Sequence, residues 1–138
     1  MKLIYKIWLD NRCGIAFGEG PCQLLREVSK TGSLRKAAAI MGMSYSKARY
    51  IIKSCEDNLG FALSYRKRGG ISGGKTTVTA KAIELMRLHE LLCTEIENTL
   101  GEIFGKHFGQ SVPVQYCPRI KQYKKQDKTK TVNNAIKE

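Results

Sequence analysis

The stretch Gly32-Ser33-Leu34-Arg35-Lys36-Ala37-Ala38-Ala39-Ile40-Met41-Gly42-Met43-Ser44-Tyr45-Ser46-Lys47-Ala48 packs two helix stops and two helix starts into seventeen residues. Gly32 ends one helix, because a left-handed terminal residue costs least when it has no Cβ. Ser33 then offers its hydroxyl to the free amides of the next helix. In that helix Leu34, Ala37, Ala38 and Met41 recur at i, i+3, i+4 and i+7. Gly42 ends it after barely two turns, and Ser44 caps a third helix in which Ala48, Ile51, Ile52, Cys55 and Leu59 share a face before Gly60. Only Gly42 and Met43 separate the two helices, which is helix-turn-helix spacing. Helices joined so tightly cross with their axes close, and Ala37, Ala38, Ala39 and Ala48 leave room for that approach.

Upstream, Pro21 suits the first position of a helix carrying Leu24, Leu25 and Val28 toward the core. Residues 2 to 9 alternate as a strand does, with Leu3, Tyr5, Ile7 and Leu9 on one side. Asp10-Asn11-Arg12-Cys13-Gly14 is turn chemistry, and Ile15-Ala16-Phe17 returns as the second arm of a hairpin. Downstream, Phe61 to Arg66 and Thr76 to Thr79 read as β segments around a tip holding Gly69, Gly70, Gly73 and Gly74: a basic, glycine-rich wing. Thr79 caps a long helix from about Ala80 to Phe104, with Leu85, Leu88, Leu92, Ile96, Leu100 and Ile103 on one face. About 25 residues make roughly 37 Å of helix, more than a three-helix core covers. The same helix of a second copy is the most economical cover, so a homodimer is expected. The expected architecture is mainly α with small β-hairpins, an α+β winged helix-turn-helix with a long C-terminal dimerisation helix. Residues 1–104 form that domain, and residues 105–138 are a basic tail expected to be flexible.

The 138 residues carry 24 Lys plus Arg against 12 acidic side chains, a formal charge of +12. An excess of this size points to a polyanionic partner. It is unevenly spread. Between residues 33 and 75, Arg35, Lys36, Lys47, Arg49, Lys53, Arg66, Lys67, Arg68 and Lys75 face only Glu56 and Asp57, whereas the long helix carries Glu84, Glu90, Glu95, Glu97 and Glu102. With its apolar residues turned inward, the third helix presents Tyr45, Ser46, Lys47, Arg49, Tyr50 and Lys53 outward. Such a helix fits a major groove about 12 Å wide, where Arg and Lys donate to guanine. Ser33, Arg35 and Lys36 at the start of the second helix, and Ser44 at the start of the third, suit phosphates. Arg66, Lys67, Arg68 and Lys75 let the wing straddle a backbone or enter the adjacent minor groove. Any one of these cations is equally well explained as a solvated side chain. Their coincidence on one motif argues for double-stranded DNA.

Other classes fit poorly. No apolar run approaches the eighteen or so residues of a membrane span. The stretch Leu3 to Leu9 is broken by Lys6 and lacks a cleavage site, so a cytoplasmic protein with no membrane partner is expected. Cys13, Cys22, Cys55, Cys93 and Cys117 follow neither a zinc spacing nor a disulfide framework. His89 and His107 lack a metal pattern, and neither cofactor nor metal is expected. Gly69 to Thr76 satisfies the phosphate-loop pattern G-x-x-x-x-G-K-[ST], which needs a buried strand before it and a helix after it. Here Arg66-Lys67-Arg68 precedes and Thr76-Thr77-Val78-Thr79 follows, which is strand chemistry, so an enzyme is not expected. Two alternatives stay open: a nucleotide hydrolase at that loop, and an adaptor whose long helix pairs with another protein while its basic tail binds nucleic acid.

Gly32-Ser33-Leu34, Ala37-Ala38, Gly42-Met43-Ser44-Tyr45, Ala48, Gly69-Gly70 and Gly73-Gly74 before Val78-Thr79 closely resemble the N-terminal DNA-binding domain of ModE-type molybdate-responsive transcription regulators. Lys6-Ile7-Trp8-Leu9 and Gly18-Glu19-Gly20-Pro21 extend the likeness to about residues 3 to 104. The resemblance implies a LysR-like winged helix-turn-helix that dimerises partly through the long helix. It also implies a palindromic operator near molybdate-transport or molybdenum-cofactor genes. Full-length members carry molybdate-binding domains after that helix, for which residues 105–138 are too short, so direct molybdate binding is not expected. Arg49 stands where the family commonly has Trp, Ser46 where a larger polar residue is frequent, and Tyr65 where an acidic residue precedes Arg66. A different operator sequence and a more cationic wing follow.

Overall fold

A computed structural model describes residues 1–12, 14–70, 74–109 and 114–116. The elements run β1 (Leu3–Tyr5), β2 (Trp8–Asp10), β3 (Ile15–Gly18), α1 (Glu19–Thr31), α2 (Leu34–Ile40), α3 (Tyr45–Leu59), β4 (Ser64–Lys67), β5 (Lys75–Val78), α4 (Ala80–Phe108) and β6 (Val114–Tyr116). Antiparallel β2 and β3 form the N-terminal hairpin, and antiparallel β4 and β5 form the wing. The result is the mainly helical winged helix-turn-helix expected from the sequence.

Three predicted caps are in place: the hydroxyls of Ser33, Ser44 and Thr79 accept from the amides of Lys36, Lys47 and Ala82. Gly32 and Gly60 adopt φ of 68° and 78° at the ends of α1 and α3. The boundaries differ in several places. The wing strands run Ser64–Lys67 and Lys75–Val78 where Phe61 to Arg66 and Thr76 to Thr79 are expected. α1 begins at Glu19, so Pro21 is its third residue, still within the first turn, where a missing N–H breaks no helical bond. The single strand expected over residues 2–9 is split, and β1 pairs in parallel with β6 instead of joining the hairpin. α4 continues to Phe108, four residues beyond the expected end, and β6 lies within the segment read as tail. Cys13, Ile71–Gly73 at the wing tip and residues 117–138, which hold most of that tail, fall outside the described residues.

Phe17, Leu24, Leu25, Val28, Ala37, Ala38, Ala48, Ile52, Cys55, Leu63, Val78 and Ala82 make one core, with Leu34, Ile51 and Leu59 packed against its edge. The faces of α1, α2 and α3 read from the sequence are therefore the ones turned to the core, except that Ala39, expected at the close crossing with Ala37, Ala38 and Ala48, is exposed because it points away from α3 on the short α2. The Asn58 side chain donates to the Ile15 carbonyl at 2.9 Å and the Asn58 backbone carbonyl accepts from the Asn11 side chain, which clips the hairpin to the end of α3. Cys22 and Cys55 are buried and burial pushes both thiols up to about 11, so they act as small apolar residues.

His89 is only 2% exposed, edge-on to the Phe17 ring at 5.4 Å, with the Cys93 sulfur 3.7 Å from Nε2. Burial, assisted by the positive charge of Arg26, holds its pKa below the ordinary 6.5. The folded protein thus keeps His89 neutral where the unfolded chain takes up a proton. Stability from this site is complete above about pH 6.5 and declines as the pH falls below it, by up to about 1.4 kcal/mol per unit. Urea unfolding at pH 7.5, 6.5 and 5.5 should show that decline, reduced in His89→Phe. Parallel curves for the two proteins would contradict it.

Candidate nucleic-acid interface

The short connection from Met41 to Ser44 places the start of α2 beside α3, and the wing closes the third side of a groove. Ser33 and Arg35 from α2, Tyr45, Arg49, Lys53 and Glu56 from α3, and Ser64, Tyr65, Arg66, Gly74 and Thr76 from the wing line it together. Six of the fourteen sequence-predicted contact residues, Ser33, Arg35, Tyr45, Arg49, Lys53 and Arg66, thus converge in space. Tyr45 is half-buried and the Arg35 guanidinium lies over its ring at 4.6 Å, a cation–π contact that holds Arg35 at the groove. This Tyr45 ring is engaged by protein. Ser33 and Ser44 use their oxygen lone pairs as helix caps, which leaves each hydroxyl proton free to be donated to a phosphate.

Ser46, Lys47, Arg49 and Tyr50 are exposed on α3, Tyr50 by 72%. Lys36, Lys47 and Arg49 take part in no ion pair among the described residues. Lys53 does: its ammonium lies 3.0 Å from the Asp57 carboxylate, whose hydrogen bond and charge raise the lysine pKa. A phosphate would have to displace Asp57, so Lys53 is the weakest of the predicted contacts.

On the wing, Lys67 pairs with Lys75 and Arg66 with Thr76 across the ladder, with Arg66, Lys67 and Arg68 exposed. A Cβ on Gly74 would lie 2.7 Å from the Lys67 carbonyl oxygen, so glycine is required there to close the hairpin. The Lys75 stem runs alongside Gly32 at the end of α1, and the Thr76 amide donates to the Gly32 carbonyl at 2.9 Å. These contacts dock the wing on the scaffold. They also seat Lys75 and Thr76 in a strand, so the helix that a phosphate loop needs after its lysine is absent; Ile71–Gly73 of that pattern lie outside the described residues. Sequence reasoning missed Glu56, Ser64, Tyr65 and Thr76 as groove-lining residues. In the sequence Glu56 reads only as an opposing charge.

The expected dimerisation stripe is exposed in part. Leu88, Leu92 and Ile103 are exposed, Ile96 and Leu100 are half-buried, and Leu85 packs toward the core beside Met86. Ile83, Leu91 and Phe108 add exposed apolar surface that the stripe did not include. Among the described residues no group of three or more His, Cys, Asp or Glu could hold a metal ion, and no helix is long and apolar enough to cross a membrane.

Residues 22–82 match the family described as "Bacterial regulatory helix-turn-helix protein, lysR family". Two relatives carry the name "Molybdenum transport protein ModE". The Herbaspirillum seropedicae protein is 36% identical over 63 residues, covering 46% of this chain and 23% of its own length. The Azotobacter vinelandii protein is 24% identical over 102 residues, covering 74% of this chain and 38% of its own length. The chain therefore spans well under half of either relative. The crystal structure of ArgP from Mycobacterium tuberculosis aligns at a TM-score of 0.45 and 22% identity, covering 72% of this chain and 43% of that one.

Proposed function

We propose, from the match of residues 22–82 to the lysR family of bacterial regulatory helix-turn-helix proteins, that the chain is a sequence-specific DNA-binding transcription regulator. It binds a palindromic operator as a homodimer, with α3 of each protomer in a major groove and each wing on the flanking backbone. Half-sites lie about one helical turn, roughly 34 Å, apart. The observation that carries the reading is the groove: cations from α2, α3 and the wing, distant in sequence, meet on one face. The exposed apolar residues of α4 are the dimer surface. The name that the two relatives share supports a link to molybdenum transport, and the resemblance to ModE-type regulators extends the reading to control of molybdate-transport or molybdenum-cofactor genes.

Titration of labelled DNA from the gene's own upstream region, with and without molybdate, tests this. Tight retention of that duplex over a scrambled one is expected, with light scattering giving about twice 15.5 kDa. Equal retention of both duplexes would contradict an operator. Lys36 lies at the start of α2 with no ion pair among the described residues, so Lys36→Ala should weaken every duplex alike and reduce the salt slope by about one per contact.

A further inference from the structure

We propose that Glu56 is a positioning residue that fixes the wing against the recognition helix, so that base-reading and backbone-gripping parts bind DNA as one rigid unit. The inference rests on the DNA-binding reading above. Glu56 sits in the last turn of α3, and its Oε1 accepts from the Leu63 amide at 2.8 Å and the Ser64 amide at 3.3 Å, where β4 begins. Leu63 is fully buried, and a buried amide without a partner is costly, so the carboxylate determines where β4 starts. Tyr65 and Arg66 follow directly, and both line the groove opposite Arg49. The remaining wing anchors lead elsewhere: Thr76 to Gly32 after α1, and Thr79 to the Ala62 and Leu63 carbonyls ahead of α4. They hold the wing on the scaffold. The carboxylate holds it on the helix that enters the groove. A negative charge among Arg49, Lys53 and Arg66 would otherwise weaken a phosphate-binding surface; its use as a double acceptor accounts for its presence there.

Hydroxyl-radical footprinting of the full chain on its upstream duplex tests the role, with Glu56→Gln and Glu56→Ala beside the wild type. The amide oxygen of Glu56→Gln still accepts, so its footprint should match the wild type. Glu56→Ala should keep protection at the bases under α3 and lose it at the flanking wing phosphates. Its salt slope should shrink by about two or more, at about 0.9 per phosphate released. Where circular dichroism shows Glu56→Ala unfolded, Glu56→Asp, one methylene too short to reach both amides, should show the same selective loss. Flanking protection unchanged in the folded variant, or lost equally in Glu56→Gln, would overturn the role of the carboxylate while leaving the DNA reading intact. No footprint from the wild-type chain would overturn both.

Discussion

Between about 50 and 200 mM salt, affinity for the operator is expected to fall by about a thousandfold or more. The groove and its rim present Arg35, Lys36, Lys47, Arg49, Arg66, Lys67 and Arg68, and the proposed homodimer doubles the set. Not all of these reach phosphates. Arg49 is assigned to a base edge, and Lys53 is left out because Asp57 already neutralises it. About six to ten phosphate contacts are expected, and each displaces condensed counterions that return more readily as salt rises. The logarithm of affinity should therefore fall linearly with the logarithm of salt, with a slope of roughly −5 to −9. Fluorescence anisotropy at four salt concentrations measures it. A slope shallower than about −2 would mean that this positive face does not lie on the backbone.

Phe17→Ala should lower the unfolding free energy by about 3–5 kcal/mol. The ring is completely buried where the hairpin meets the helices, and it packs edge-on against His89 of α4. Deleting it removes the apolar contact that joins the N-terminal hairpin to the long helix and leaves a cavity that rigid helices cannot close. The thermal midpoint should drop by roughly ten degrees or more, whereas the fraction still folded should bind DNA unchanged, since Phe17 is not one of the residues that line the groove. A loss under about 1 kcal/mol would show that the hairpin docks by other means.

The central helices were legible because their signals are local. Ser33, Ser44 and Thr79 cap where their sequence places them, and the spacing of Ala37, Ala38 and Ala48 names the close crossing before any coordinate does. The pairing of β1 with β6 was not legible. Three-residue strands leave too little period to read, and a parallel partner more than a hundred residues away leaves no turn signature. The α3 surface was readable as a face, but the Arg35–Tyr45 contact and the Lys53–Asp57 pair depend on side-chain geometry that spacing does not specify. Glu56 was missed for the same reason: an acid beside Asp57 in a basic stretch reads as dilution of charge until its two amide partners are located.

The most direct test of the account is the base preference of Arg49→Ala, measured over every single-base variant of the operator and set beside Lys36→Ala. If α3 reads base edges, Arg49→Ala flattens the preference at one position per half-site, by about 1–3 kcal/mol, and leaves the others standing. Uniform weakening by Arg49→Ala, with all base preferences retained, would place that arginine on the backbone and contradict the assignment of α3 as the recognition helix.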